Sequence, residues 1–152
     1  MGTLYIVATP IGNLEDITLR AIKTLESADI ILCEDTRRAG RLLKNHVKLV
    51  SYYDEIEDKR IPEVIEWLIE GKNIALVSDA GTPLISDPGF RLVRECIKRG
   101  LTIESIPGPS AVLAALTSSG LPPDKFIFLG YPPEKQFARL DVFKKLSPNI
   151  TT

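Results

Sequence analysis

Four stretches of this sequence carry residue types whose spacing suits chemistry. Three are loops rich in Gly and Pro. They are Thr9-Pro10-Ile11-Gly12-Asn13, the run Ser78-Asp79-Ala80-Gly81-Thr82-Pro83-Leu84-Ile85-Ser86-Asp87-Pro88-Gly89, and Pro107-Gly108-Pro109-Ser110-Ala111. Such loops offer a polar ligand backbone N–H groups and helix N-termini. Any one of them is explained as an ordinary turn, but three at one sheet edge favour a binding site. None has the G-x-G-x-x-G or G-x-x-x-x-G-K-[ST] spacing, so NAD and ATP sites are disfavoured. The fourth stretch, Glu34-Asp35-Thr36-Arg37-Arg38, sets two acids beside two bases. Spacing by itself favours a solvated helix start with acids near the helix N-terminus. A functional reading of this run needs other residues brought near it. His46 is the sole histidine, which removes any scheme needing two and leaves a Ser-His-Asp triad dependent on it. Its expected place is a loop or a helix end. Cys33 and Cys96 stand far apart in apolar runs, a spacing that excludes a redox pair or a zinc site and predicts buried thiols.

These loops must be positioned by the elements around them. Residues 4–8, 29–33, 48–52, 73–77 and 101–106 are short apolar runs and read as strands. Between them lie helical spacings. Ile17, Ala21, Leu25 and Ala28 follow a start at Asp16 or Thr18, and Leu42 and Leu43 give 36–45 one buried edge. Ile61, Val64, Ile65, Leu68 and Ile69 mark a helix over 59–70 with Gly71 as its cap. Leu92, Val93, Cys96 and Ile97 face inward on 90–98, and Pro107 to Ser110 open a helix over 111–119 that is small and apolar enough to be buried between layers. Five βα units in sequence predict a mostly parallel, doubly wound α/β sheet covered on both faces, whose ligands sit beyond the carboxyl ends of its strands. Residues 1–120 are expected to form this domain and 121–125 a hinge. Residues 126–152, with a strand at 126–129, read as the truncated start of a second α/β domain.

A phospho-receiver domain shares that fold and length. It needs acids after the first strand and a Lys after the fifth, and the strands here end in Ala8-Thr9-Pro10 and Ile106-Pro107-Gly108. Composition adds further limits. The 152 residues, 44% hydrophobic and 26% charged, suit a globular chain rather than a disordered one. A net charge of −1 provides no global field for a polyanion, so any RNA contact is local. No apolar stretch nears the roughly 20 residues of a membrane span, and the N-terminus lacks the basic start of a secretory signal. The expected compartment is the cytoplasm.

Taken together and in order, the four motifs resemble the tetrapyrrole (corrin/porphyrin) methylase superfamily, from Leu4 to about Tyr131. Within it the chain is most similar to the ribosomal RNA small subunit methyltransferase I family, and residues 1–120 correspond to the N-terminal methylase domain. The resemblance implies an S-adenosylmethionine-dependent enzyme that methylates a cytidine ribose 2′-hydroxyl in the decoding region of small-subunit ribosomal RNA. It implies the small ribosomal subunit as partner, a homodimer, and neither a metal nor a membrane. Carried over by position, Pro10, Gly12, Ser78, Asp79, Ala80, Leu84, Ile85, Ser110 and Ala111 would contact the cofactor. Asp79 and Asp35 are the candidate catalytic acids, and Arg37 and Arg38 the candidate RNA contacts. Two departures stand out: Tyr53-Asp54-Glu55-Ile56 replaces an expected His-Asn pair, and Glu134-Lys135-Gln136-Phe137-Ala138-Arg139 is only weakly basic. A small-molecule methylase on the same fold, and a non-catalytic ribosome-binding or dimerisation module, are the competing readings.

Overall fold

The computed structural model describes residues 1–42 and 47–146. The place expected for His46 lies outside the described residues. Five strands form one sheet: β1 (Thr3–Val7), β2 (Ile30–Cys33), β3 (Lys48–Ser51), β4 (Ile74–Leu76) and β5 (Thr102–Ile106). Their order is β3-β2-β4-β1-β5 and every pairing is parallel. The central strand β4 pairs Ile74 with both Leu4 and Ile30, and Leu76 with both Ile6 and Leu32. The helices are α1 (Leu19–Ser27), α2 (Thr36–Leu42), α3 (Asp54–Ile69), α4 (Phe90–Lys98), α5 (Ala111–Ser118) and α6 (Gln136–Lys144).

Alternation along the strands divides the core into two layers. Leu4, Ile6, Ile30, Leu32, Ile74 and Leu76 face α3 and α4, packing on Val64, Ile65, Trp67, Leu68, Leu92 and Cys96. Val7, Ile31, Cys33, Ala75, Val77 and Ile106 face the other way, with Ala21 and Leu25 of α1 and Ala39 of α2. The topology requires this division. From β1 to β3 the chain moves toward one edge, and after β3 it moves back. Crossovers of a single hand then place α3 and α4 on the face opposite α1 and α2.

Local chemistry sets the ends of the elements. The Thr18 hydroxyl accepts the Ala21 N–H at 3.0 Å and so starts α1. Gly71, at φ +94°, ends α3 as predicted, donating its N–H to the Leu68 carbonyl. Helix α3 starts at Asp54 rather than near Lys59 and carries Pro62 in its interior. The extra turn exists because Glu57 is drawn into the core by partners distant in sequence. Ile97, expected inward, is 65% exposed, because the buried stripe of α4 is the narrower pair Leu92 and Cys96.

The chain divides into two compact units, Met1–Ser110 and Ala111–Thr152. Within the second unit, α5 has no buried residue, contrary to the expected buried layer. No strand forms over 126–129 among the described residues, and Phe126, Ile127, Phe128 and Leu129 are exposed. Phe126 makes an isolated bridge that does not extend into a strand, and within its unit α5 lines a cavity with Phe126, Ile127 and Phe128 instead of covering a sheet.

Candidate active site

Strands β1 and β4 are neighbours, and the chains leaving them pass to opposite faces of the sheet, which opens a crevice at their carboxyl ends. The loops of this crevice are tied together through their backbones. Thr9 N–H donates to the Gly81 carbonyl at 2.9 Å and Gly81 N–H to the Thr9 carbonyl at 3.0 Å, an antiparallel bridge. The buried Thr9 hydroxyl donates to the Ser78 carbonyl at 3.3 Å. The third loop joins through Thr82, whose hydroxyl donates to the Pro109 carbonyl at 3.2 Å, and through Ala8 N–H donating to the Ile106 carbonyl. Gly108 fits closely, since a Cβ there would lie 3.0 Å from that of Ala8. All three loops singled out in the sequence therefore meet at one edge.

The loop after β4 is also held in an uncommon backbone conformation. Leu84 and Ser86 both have positive φ, 72° and 63°, without being glycine. Such outliers persist where the surroundings over-determine them, and they cluster at ligand sites. The far end of the loop is fixed by an acid that the sequence reading missed. Glu57, 3% exposed, accepts the Gly89 N–H at 3.1 Å, the Leu92 N–H at 3.4 Å and the Tyr52 hydroxyl at 2.9 Å. A signal for it was present, because Glu57 falls on the helical stripe of Ile61, Val64 and Leu68.

Pro10 and Ser78 are buried, Leu84 and Ser110 are partly buried, and Gly12, Asp79, Ala80 and Ile85 are exposed. Ala111 opens α5 in the second unit. Asp35 accepts the Arg37 N–H at 2.8 Å and pairs with the Arg37 guanidinium at 3.2 Å, so it caps α2 as the plain reading of that run predicts. The Arg37 side chain is 88% exposed and leads into solvent, and Arg38 follows it in α2. Asp79 N–H donates to a Glu34 carboxylate oxygen at 3.4 Å, which joins the second-strand loop to the fourth.

The rim is electronegative. Burial raises the Glu34 carboxyl above its usual value, opposed by the Asp79 N–H it accepts and reinforced by the charges of Asp87, Asp79 and Asp54. Asp87 is raised by burial, opposed by a hydrogen bond with the Ser78 side chain and reinforced by Asp79 and Asp54. Beneath them the Cys33 thiol is pushed to about 11 by burial and then by Asp79, Asp35 and Glu34. An edge of this sign repels polyphosphates and suits a ligand that carries positive charge. With main-chain groups and the apolar side chains of Ile11, Leu84 and Ile85 beside it, the edge fits a sulfonium nucleoside such as S-adenosylmethionine. By contrast, the apolar cavity of about 410 Å³ inside the second unit is lined from Ala111 to Phe128 with Ser119 as its polar residue. It lacks the convergent polar groups that orient a ligand. Among the described residues no group of acids, Cys or His has the arrangement of a metal site, and no helix is long and apolar enough to cross a membrane.

Residues 3–147 match the family described as Tetrapyrrole (Corrin/Porphyrin) Methylases. The chain is 50% identical, over 99% of its length and 53% of the relative's, to a protein of Halalkalibacterium halodurans named ribosomal RNA small subunit methyltransferase I. It is 54% identical, over 88% of its length and 61% of the relative's, to the protein of that name from Thermotoga maritima. The chain thus spans about half the length of the curated relatives it matches. A crystal structure of uroporphyrin-III-C-methyltransferase from Thermus thermophilus superposes with a TM-score of 0.62 at 26% identity, over 80% of this chain and 54% of that one. The parallel sheet, its three interlocked loops and the match over nearly the whole length agree, and the chain belongs to the tetrapyrrole (corrin/porphyrin) methylases.

Proposed function

We propose that this chain is the cofactor-binding N-terminal part of an S-adenosylmethionine-dependent methyltransferase acting in the cytoplasm as a homodimer. Its proposed substrate is the ribose 2′-hydroxyl of a cytidine in the decoding region of small-subunit ribosomal RNA. The observation that carries this reading is the 50% identity, along 99% of the chain, to a relative named for small-subunit ribosomal RNA. The likeness to the uroporphyrin enzyme is weaker at 26%, which ranks a tetrapyrrole acceptor second.

When bound, S-adenosylmethionine supplies a methyl carbon activated by its sulfonium. The protein's work is then to orient the reactants and exclude water. Pro10, Gly12, Ser78, Ala80, Leu84, Ile85, Ser110 and Ala111 are proposed to line the cofactor, with Asp79 orienting it from the second loop. Asp35 is the alternative candidate for a base that takes the 2′-hydroxyl proton. Its ion pair with Arg37 suits it to aiming Arg37 at an RNA phosphate, beside Arg38.

The test is transfer of a labelled methyl group to small ribosomal subunits that lack the modification, with free tetrapyrrole as a parallel acceptor. The enzyme should contain residues 1–152 within a protein of the relatives' full length. Label in the RNA ribose is expected, lost with Asp79→Ala through loss of cofactor binding, and weakened together with its salt dependence when Arg37 and Arg38 are both changed to Ala. Label in the tetrapyrrole alone would move the protein to the small-molecule branch. Label in neither would leave a non-catalytic binding module.

A further inference from the structure

We infer that Glu57 is a positioning residue for the cofactor site, which it serves by holding the far end of the 78–89 loop; the inference rests on the cofactor reading above. A carboxylate that is 3% exposed is costly unless its charge is met, and here the partners are specific. One oxygen of Glu57 accepts from Gly89 N–H, Leu92 N–H and the Tyr52 hydroxyl, and the other lies 4.0 Å from Nε of Arg91. Gly89 and Leu92 form the first turn of α4, whose unpaired N–H groups and positive dipole end favour a carboxylate. Glu57 therefore caps a helix from a neighbouring helix. It does so where the loop carrying Asp79, Leu84 and Ile85 ends.

The near end of that loop is fixed independently, by Val77 N–H on the Leu32 carbonyl at 2.9 Å and by the Thr9–Gly81 bridge. Between the two anchors lie Leu84 and Ser86 with their left-handed backbones. A segment holding two such residues relaxes if either end is released. Leu84 shares the far anchor directly, because a Cβ on Gly89 would come within 3.0 Å of its Cδ1. Loss of the Glu57 bonds should thus reach the proposed ligand contacts while leaving β1, β2 and β4 paired.

Two variants and two readouts test this. Glu57→Ala removes the acceptor, and Glu57→Gln keeps an acceptor oxygen without the charge. In the 152-residue chain, amide exchange at Gly89 and Leu92 should rise at least about tenfold in Glu57→Ala relative to β2 and β4 amides, the scale of one lost bond to a charged group, with Glu57→Gln between it and wild type. In the longer protein, KM for S-adenosylmethionine should rise about tenfold or more with kcat changed far less. Glu57→Gln should recover most of the loss. If exchange at Gly89 and Leu92 rises only in step with the strands, or if kcat falls at unchanged KM, Glu57 merely supports the fold and the inference is overturned. If the wild-type protein binds no S-adenosylmethionine, the cofactor reading fails. The exchange result then still decides whether Glu57 anchors the loop.

Discussion

Replacing Gly89 by Ala perturbs the molecule where loop, core and helix α4 meet. Gly89 has φ +125° and ψ −14°, outside the range that L-residues adopt easily. The added Cβ would lie 2.5 Å from Cδ2 of Leu76 and 3.0 Å from Cδ1 of Leu84. Leu76 is 1% exposed at the centre of the sheet, so it has no room to withdraw. Two effects add. Forcing an L-residue into a left-handed backbone costs about 1–2 kcal/mol, and overpacking a dense core costs about 1–3 kcal/mol. The sum, about 2–5 kcal/mol, is a large part of the roughly 5–15 kcal/mol that holds a domain together. Gly71→Ala is the matched control. Its φ is +94°, but nothing lies within 4 Å of its Cβ, so it carries the backbone effect without the clash. Urea denaturation followed by circular dichroism should place Gly89→Ala below Gly71→Ala by about 0.5–1.5 M in midpoint, given a slope of about 2 kcal/mol/M. Equal midpoints for the two variants would refute the close packing of Gly89 against Leu76.

Two further outcomes follow from the titrating groups. Cys33 and Cys96 are both buried with thiols pushed to about 11, in each case mainly by burial. A disulfide reagent at about pH 8 should therefore leave the native protein unreacted for many minutes and titrate two thiols at once in urea, since only the thiolate attacks; rapid native labelling would show that one of them is exposed. Glu34 is raised in the folded state, so the fold favours its protonated form, and the stability this gives is lost as pH rises through the folded value. Glu34→Gln should then be more stable than wild type near neutral pH, with the difference shrinking as pH falls through the carboxylate range. A difference that grows on acidification would reverse the assignment.

Much of the fold was legible from local spacing. The five apolar runs became the five strands, and Thr18 and Gly71 marked helix ends through a hydroxyl acceptor and a permissive backbone. Asp35 showed its capping role by standing two residues before the N–H it accepts. The three Gly/Pro loops were visible because so many glycines and prolines in short runs break both periodicities. What stayed hidden was non-local. Nothing in the sequence says that β4 inserts between β2 and β1, although that insertion brings the 9–13 and 78–89 loops together. Glu57 was missed because two of its partners, Gly89 and Leu92, lie at the start of α4, far along the chain from it. The strand expected at 126–129 has the right residues, yet among the described residues only Phe126 forms a bridge, because a strand needs a partner segment along its whole length. The sequence by itself determined where the apolar residues recur and at what period, and so which segments form strands and helices in residues 1–110. Tertiary structure decided which buried surfaces meet, because strand order and the burial of one carboxylate depend on free energies shared between segments that no local window contains.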